Sequence, residues 1–347
     1  MTDNQLYCVF LQTLYFRPSL VLLLKKKLYF CAQNVIILNM RRSISFTILF
    51  FVMLSVLVSC YQSHKRELDL AYTLAESKPD SALPFLNRIN QGKLSDKDMA
   101  KYALIYYMAQ DKSGLDVDND SLIRIAYDWY GEHQDDSLYA TTLYYMGKCF
   151  LLNDSMEQAK SCLEKSYSIS DSLHNMNLKC LALDKLIEVE EQLAPDTALK
   201  YAKALVKMYD STPNVSIYNK VAARLRLCDN FMFVDSLRQA LCEGQIALKL
   251  AMKDADRNLY SFVCQDLANV YEKVGEKDSC LFYARQAYSL NGTDRLSCQL
   301  MLASAYISVD SIERAFAILK QATPKTPEDR YSVFFMQSQA AMKTSNY

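Results

Sequence analysis

The chain has 347 residues, 51% of them apolar, with only 7 Gly and 7 Pro, about 2% each where usage is typically about 7% and 5%. So few turn formers exclude a strand-rich, turn-dense fold and disfavour glycine-loop nucleotide folds, so one continuous helical array is the economical reading. The 39 basic and 39 acidic side chains cancel, which points away from a nucleic-acid binder and from an acidic tail.

Two apolar stretches lie within the first 60 residues. In residues 1–39 the run Leu20 to Leu24 is broken by Lys25, Lys26 and Lys27 and followed by unpatterned sequence. This segment reads as upstream sequence with Met40 as the true start; the other reading is a long basic flank. From Met40 the layout changes, with Arg41 and Arg42 ahead of a mostly apolar run, Ile44 to Val58, whose end reads Leu57, Val58, Ser59, Cys60. This pattern resembles the substrates of lipoprotein signal peptidase, whose products carry lipid on that thiol. The resemblance implies a signal peptide over 40–59, lipid on Cys60, a tether over 60–66 and a place in the bacterial cell envelope, periplasmic or surface-facing. An uncleaved anchor helix is the alternative, although the apolar run is barely long enough to span a bilayer. Without the first 60 residues the net charge becomes −5, because six basic side chains leave with one acid, Asp3.

From residue 67 to 347 small residues recur at similar intervals. The clearest unit carries Leu267, Ala268, Tyr271, Gly275, Cys280, Ala284 and Ala287. The next carries Leu302, Ala303, Tyr306, Ala315, Leu319, Ala322 and Pro327, and an earlier one Met146, Gly147, Phe150, Ala159 and Leu163. The small residues Ala159, Ala198, Ala240, Cys280 and Ala315 are 39, 42, 40 and 35 apart. These units resemble the tetratricopeptide repeat of about 34 residues, in which a small residue follows Leu in the first helix and another in the second helix lets the two approach. The spacing continues back through a pair around Tyr107 and Ala126 to one with Leu70 and Ala82. The count is about seven hairpins plus an unpaired helix from Arg330. The unit around Leu186 and Ala198 lacks the aromatic three residues after its Leu, which leaves its register open. The resemblance implies an all-α chain, an α-α superhelix of the tetratricopeptide-like solenoid type.

Helix starts are marked by Asp-Ser at 80, 120, 136, 154, 171, 210, 235, 278 and 310, with Asp196-Thr197 in the same role. Their side-chain oxygens are expected to accept from first-turn amides, and their charge suits the helix dipole.

Residues for catalysis are scarce. His64, His133 and His174 are far apart and read as solvated surface. Beyond Cys8, Cys31 and Cys60, eight cysteines stand singly with no Cys-x-x-Cys pair, and Cys228, Cys264 and Cys280 occupy repeat positions that take small core residues. Asp116, Asp118 and Asp120 alternate as a calcium loop begins, yet Ser121 stands where that loop needs Gly and Tyr127 where it needs Glu; a helix cap is the better reading. There is no phosphate loop, His-Glu-x-x-His or Gly-x-Ser-x-Gly element. The expectation is a non-enzyme with no cofactor and no metal.

Nine aromatics between Tyr102 and Tyr145 are expected to pack mostly between helices. In the family the first helix of each pair lines the concave face. Carrying its groove positions onto this sequence points to Tyr144 and Lys148, to Asp229, and to Gln265, Asn269 and Glu272. This set lacks the several basic residues of the clamp for C-terminal carboxylates. On the last helix Phe334, Phe335 and Met336 would lack part of their packing surface, which marks an end face for a partner, a second copy or a truncated continuation after Tyr347. The functional expectation is a membrane-tethered, non-catalytic scaffold or adaptor that binds a protein or peptide in the cell envelope and no nucleic acid. The alternative is the sensory half of a membrane-bound regulator whose output domain is missing.

Overall fold

The computed structural model describes residues 26, 27, 29, 64–115, 119–133, 135–291 and 295–345. The signal-peptide segment and Cys60 fall outside these residues, as do Asp116 and Asp118 and nearly all of 1–39. The chain divides into two compact units, Met1–Leu74 and Ala75–Tyr347. Residues 64–77 are helical, and Leu68, Ala71 and Ala75 are buried. The second unit continues with α1 (Pro79–Leu86), a 3-10 turn at Gln91–Lys93, α2 (Asp96–Lys112), α3 (Ser121–Glu132), α4 (Asp136–Leu152) and α5 (Met156–Ser172). There follow α6 (Met176–Leu193), α7 (Pro195–Ser211), α8 (Ile217–Phe233), α9 (Leu237–Ala251) and α10 (Arg257–Val274). The last four are α11 (Lys277–Asn291), α12 (Leu296–Ser308), α13 (Ile312–Lys320) and α14 (Pro327–Ser345). Each packs on the next, and α14 closes on both α12 and α13. No helix among the described residues is long and apolar enough to cross a membrane.

The expected phasing holds along the whole array. Ala82, Ala126, Ala159, Ala198, Ala240, Cys280 and Ala315 are all buried, one in each second helix. A small side chain there brings the backbones together, so that larger neighbours such as Leu163, Leu205 and Leu267 fill the space around it. The approach is closest at Gly147 in α4 and Gly244 in α9, where an added Cβ would lie 2.7 Å from Leu163 Cγ and from Leu267 Cδ2 respectively. The doubtful unit is in register as well, with Leu186 and Ala198 both buried. Its turn is what differs: Pro195 opens α7 directly after an extended Ala194, because proline needs no amide partner in a first turn.

The Asp-Ser pairs do not cap as expected. Side-chain caps belong instead to the first helices: Ser95, Asp135, Asn175, Ser216 and Asp256 each accept from an amide in the first turn of α2, α4, α6, α8 and α10. Asp154, Asp235 and Asp310 stand within the hairpin turns at φ 54, 56 and 56°, the left-handed position that Gly275 fills at φ 85° in the next unit. This conformation closes the preceding helix: the amides of Ser155, Ser236 and Ser311 donate to the carbonyls of Phe150, Phe231 and Tyr306 at 2.8, 2.8 and 2.9 Å. Aspartate tolerates the left-handed region because its short polar side chain bonds locally. Asp80, Asp136, Asp196 and Asp278 sit in first turns, where their charge suits the positive end of the dipole. Asp120 pairs with Arg124 rather than capping α3. Asp171 and Asp210 lie in last turns and accept from Lys179 at 2.5 Å and Arg224 at 2.6 Å.

The core is continuous from α6 to α10, through Leu183, Ile187, Ala202, Leu205, Leu227, Phe231 and Val270. Seven of the eight described cysteines are buried, among them Cys228, Cys264 and Cys280, and the Cys228 thiol donates to the carbonyl of Ala240 at 3.2 Å. Cys242 is exposed. The early aromatics pack as expected, with Tyr102, Tyr107, Tyr130, Tyr144 and Tyr145 buried and the Tyr107 and Tyr145 rings 5.8 Å apart. His133 and His174 are exposed, while His64 is half-buried with Nδ1 3.5 Å from Glu67.

Candidate groove across the first helices

The first helices α6, α8 and α10 share a cavity of about 360 Å3, walled by Asp184 of α6, by Tyr218, Leu225, Arg226 and Asp229 of α8, and by Phe262 and Asp266 of α10. Those positions recur at helical spacing along each helix, which puts them on one face. A second hollow of about 250 Å3 adjoins it and shares Arg226 and Asp229, with Glu191, Phe233 and Lys273 around it. The groove is therefore amphipathic. Tyr218, Phe262 and Phe233 are 57%, 46% and 66% exposed, and acids stand between these rings.

The polar side of the groove is held by Arg226. Its guanidinium reaches back to α6, with nitrogens 3.4 Å from Asp184, 3.7 Å from Glu191 and 4.0 Å from Glu188. Asn230 adds a bond to Glu191 at 2.7 Å. Three α6 acids thus absorb Arg226, while the other arginine of α8, Arg224, pairs with Asp210 and Glu243. On the other side Arg295, just ahead of α12, lies flat over Phe262 with its guanidinium carbon 3.9 Å from the ring centre. It donates to Gln265 at 2.7 Å.

Between these two arginines sit Asp229 and Asp266, half-buried, with no hydrogen bond or ion pair among the described residues. Burial pushes the Asp229 carboxyl up to about 6, against the pull of Arg226. Burial, reinforced by the neighbouring Asp229 charge, pushes Asp266 up to about 7. Two neighbouring carboxylates resist ionising together. Such an arrangement can bind a cation or hold a proton.

Of the residues expected in the groove, Asp229 lines it and Asn269 is half-buried on the same helix face. Tyr144 is buried, its ring 5.0 Å from that of Tyr145 and beneath the ammonium of Lys148, which is bonded to Asp111. That pair joins α4 to α2 and presents no free ring. Gln265 and Glu272 turn toward α12, accepting from Ser297 at 3.2 Å and from Ser304 respectively. Asp184, Tyr218, Arg226, Phe262 and Asp266 were not anticipated. Asp266 is one residue from Gln265, a rotation of about 100° on a helix, and the recurrence of 262, 266, 269 and 273 was its available signal. On α14, Phe334 and Phe335 are 68% and 47% exposed, whereas Met336 packs in the last cluster with Ala303, Leu319 and Ala340, so the end face is smaller than expected. Among the described residues no group of three or more His, Cys, Asp or Glu side chains could hold a metal ion.

No protein-family profile matches the chain, and no curated protein matches it. Solved structures do match. The apo form of RapI superposes with a TM-score of 0.61 at 11% identity, over 81% of this chain and 79% of that one. A Rap protein complexed with Competence and Sporulation Factor gives 0.58 at 12% identity, over 82% and 80%. The STAND protein with a tetratricopeptide repeat sensor from Pyrococcus horikoshii gives 0.61 at 13% identity, over 80% of this chain and 43% of that one. The present chain thus spans less than half of the STAND protein's length. Identities this low bear on fold alone. With the buried small residues, the hairpin turns and these superpositions in agreement, residues 75–347 form a tetratricopeptide-type α-α superhelix.

Proposed function

We propose that this chain is a non-catalytic scaffold or adaptor, tethered in the cell envelope by lipid on Cys60, that holds a protein or peptide segment along the groove of α6, α8 and α10. The observation that carries the reading is the groove itself: α8 and α10 present exposed rings beside unpaired carboxylates, with the acids of α6 alongside, a surface that offers both apolar area and charge. A Rap protein of the same fold is complexed with Competence and Sporulation Factor, which supports a ligand for this fold. The tether rests on Arg41, Arg42 and the run into Leu57, Val58, Ser59 and Cys60.

A photo-crosslinking residue placed at Phe262 tests the groove, with one at Lys249, exposed on the second helix α9, as the control. In intact envelopes a discrete adduct is expected from Phe262 and not from Lys249. Equal labelling at both positions would reject the groove as the binding face.

The second reading makes the array the sensory half of a membrane-bound regulator whose output domain is missing. It is favoured by one observation, the match to a STAND protein whose repeat region is a sensor. An open reading frame encoding an output domain downstream of codon 347 would select it over the adaptor.

A further inference from the structure

Of the cations around the groove, Arg226, Arg295 and Lys185 are engaged elsewhere, and Lys273, exposed beside Asp229, pairs with neither carboxylate. Arg226 is spread over Asp184, Glu188 and Glu191 of α6. Arg295 is stacked on Phe262 and bonded to Gln265, and Lys185 is paired with Glu188 at 2.6 Å. Lys273 lowers Asp229 only through space, as Arg295 does Asp266. The two carboxylates therefore face a cavity of about 360 Å3 without a partner of their own. A half-buried carboxylate has given up part of its hydration without regaining it from protein, so a cation that enters the cavity gains more there than at a fully exposed acid. The exposed rings of Tyr218 and Phe262 lie alongside and suit the apolar stem of a long basic side chain or its neighbours in a peptide.

We infer that Asp229 and Asp266 form a subsite for a lysine or arginine side chain of the peptide held in the groove. The inference rests on the proposed groove and adds to it the chemistry of the occupant. The occupant is a segment with one basic residue flanked by apolar ones. An acidic segment is disfavoured, because it would meet Asp229, Asp266 and three α6 acids, with Arg226 already shared among those acids and Lys273 as the one unpaired cation in the wall among the described residues.

The test is selection from a displayed library of random heptapeptides on the immobilised full chain at pH 8, repeated on the D229N/D266N variant. The expected result is a strongly enriched Lys or Arg at one position on the unaltered chain and no basic preference on the variant. A selected arginine peptide should bind at least about tenfold more weakly when its arginine becomes glutamine. Its affinity should fall similarly as the pH drops from 8 to 5.5, since arginine does not titrate there and the carboxylates do. The other charged groups facing the site are Asp184, Glu188 and Glu191 of α6, Arg226 of α8, Lys273 of α10 and Arg295 ahead of α12; none is a histidine. Peptides selected without a basic position, or with the same basic position on the variant, would overturn the subsite while leaving the groove standing. Failure to select any peptide would overturn the groove reading and the subsite with it. A thermal melt of the variant no lower than that of the unaltered chain confirms that any change in preference arises in a folded protein.

Discussion

Asp266 shows how one residue's surroundings reverse its usual contribution. Its carboxyl is raised from 3.8 to about 7, first by burial and then by Asp229. A group raised on folding binds its proton more tightly in the folded state, so its stabilising contribution is complete below the unfolded value and is lost as pH climbs through the folded one. At pH 8 the ionised pair is therefore a net cost. Asp266→Asn, which keeps the shape and removes the charge, is expected to raise the melting temperature by a few degrees at pH 8, about 1–2 kcal/mol. At pH 4 the gain should vanish. A melt that is lower at pH 8, or shifted equally at both pH values, would contradict this account. Legibility at this scale was partial. Asp229 was readable from the repeat position, but Asp266 was masked by its neighbour Gln265, because a single step along a helix turns the side chain from the groove to the adjoining α12.

At the scale of helices, each pair is decided by how near its backbones come. Gly147 is the clearest case, since a Cβ there would meet Leu163 Cγ at 2.7 Å and Cδ2 at 2.9 Å. Leu163 is fully buried, so it cannot swing away. Alanine would gain about 1 kcal/mol in helix propensity, yet overpacking typically costs about 1–3 kcal/mol, and with branched carbons on one side of a closed core the clash wins. Gly147→Ala is expected to destabilise by about 1–2 kcal/mol in urea unfolding. Gly131→Ala, whose new methyl would meet only the Tyr139 ring at 3.7 Å, should be neutral or mildly stabilising. Small residues at the helix crossings were visible in the sequence because they recur at similar intervals. The Asp-Ser pairs were equally visible and were misread: the same two residues suit a cap or a left-handed turn, and only the path of the chain between α4 and α5, or α8 and α9, decides which. Longer loops lead into Ser95 and Ser216, whereas Asn175 caps α6 from a turn as short as those within the hairpins, after His174 at φ 54°.

For the whole molecule the open matter is where the array is held. Cys60→Ala is expected to abolish metabolic labelling by palmitate in cells that label the unaltered chain; unchanged labelling would reject the lipid tether. The sequence by itself determined that the chain is helical, how its hairpins are phased and which small residues sit at their crossings. Those properties follow from local periodicity and from the scarcity of Gly and Pro, both of which act over a few turns of chain. Tertiary structure alone decided which charges are left without partners. Arg226 could have neutralised Asp229 three residues away on its own helix; it answers α6 instead, 42 residues earlier in the chain at Asp184. Charge pairing depends on which faces meet across helices, and a shift of one residue along a helix exchanges a groove contact for a bond to the next repeat.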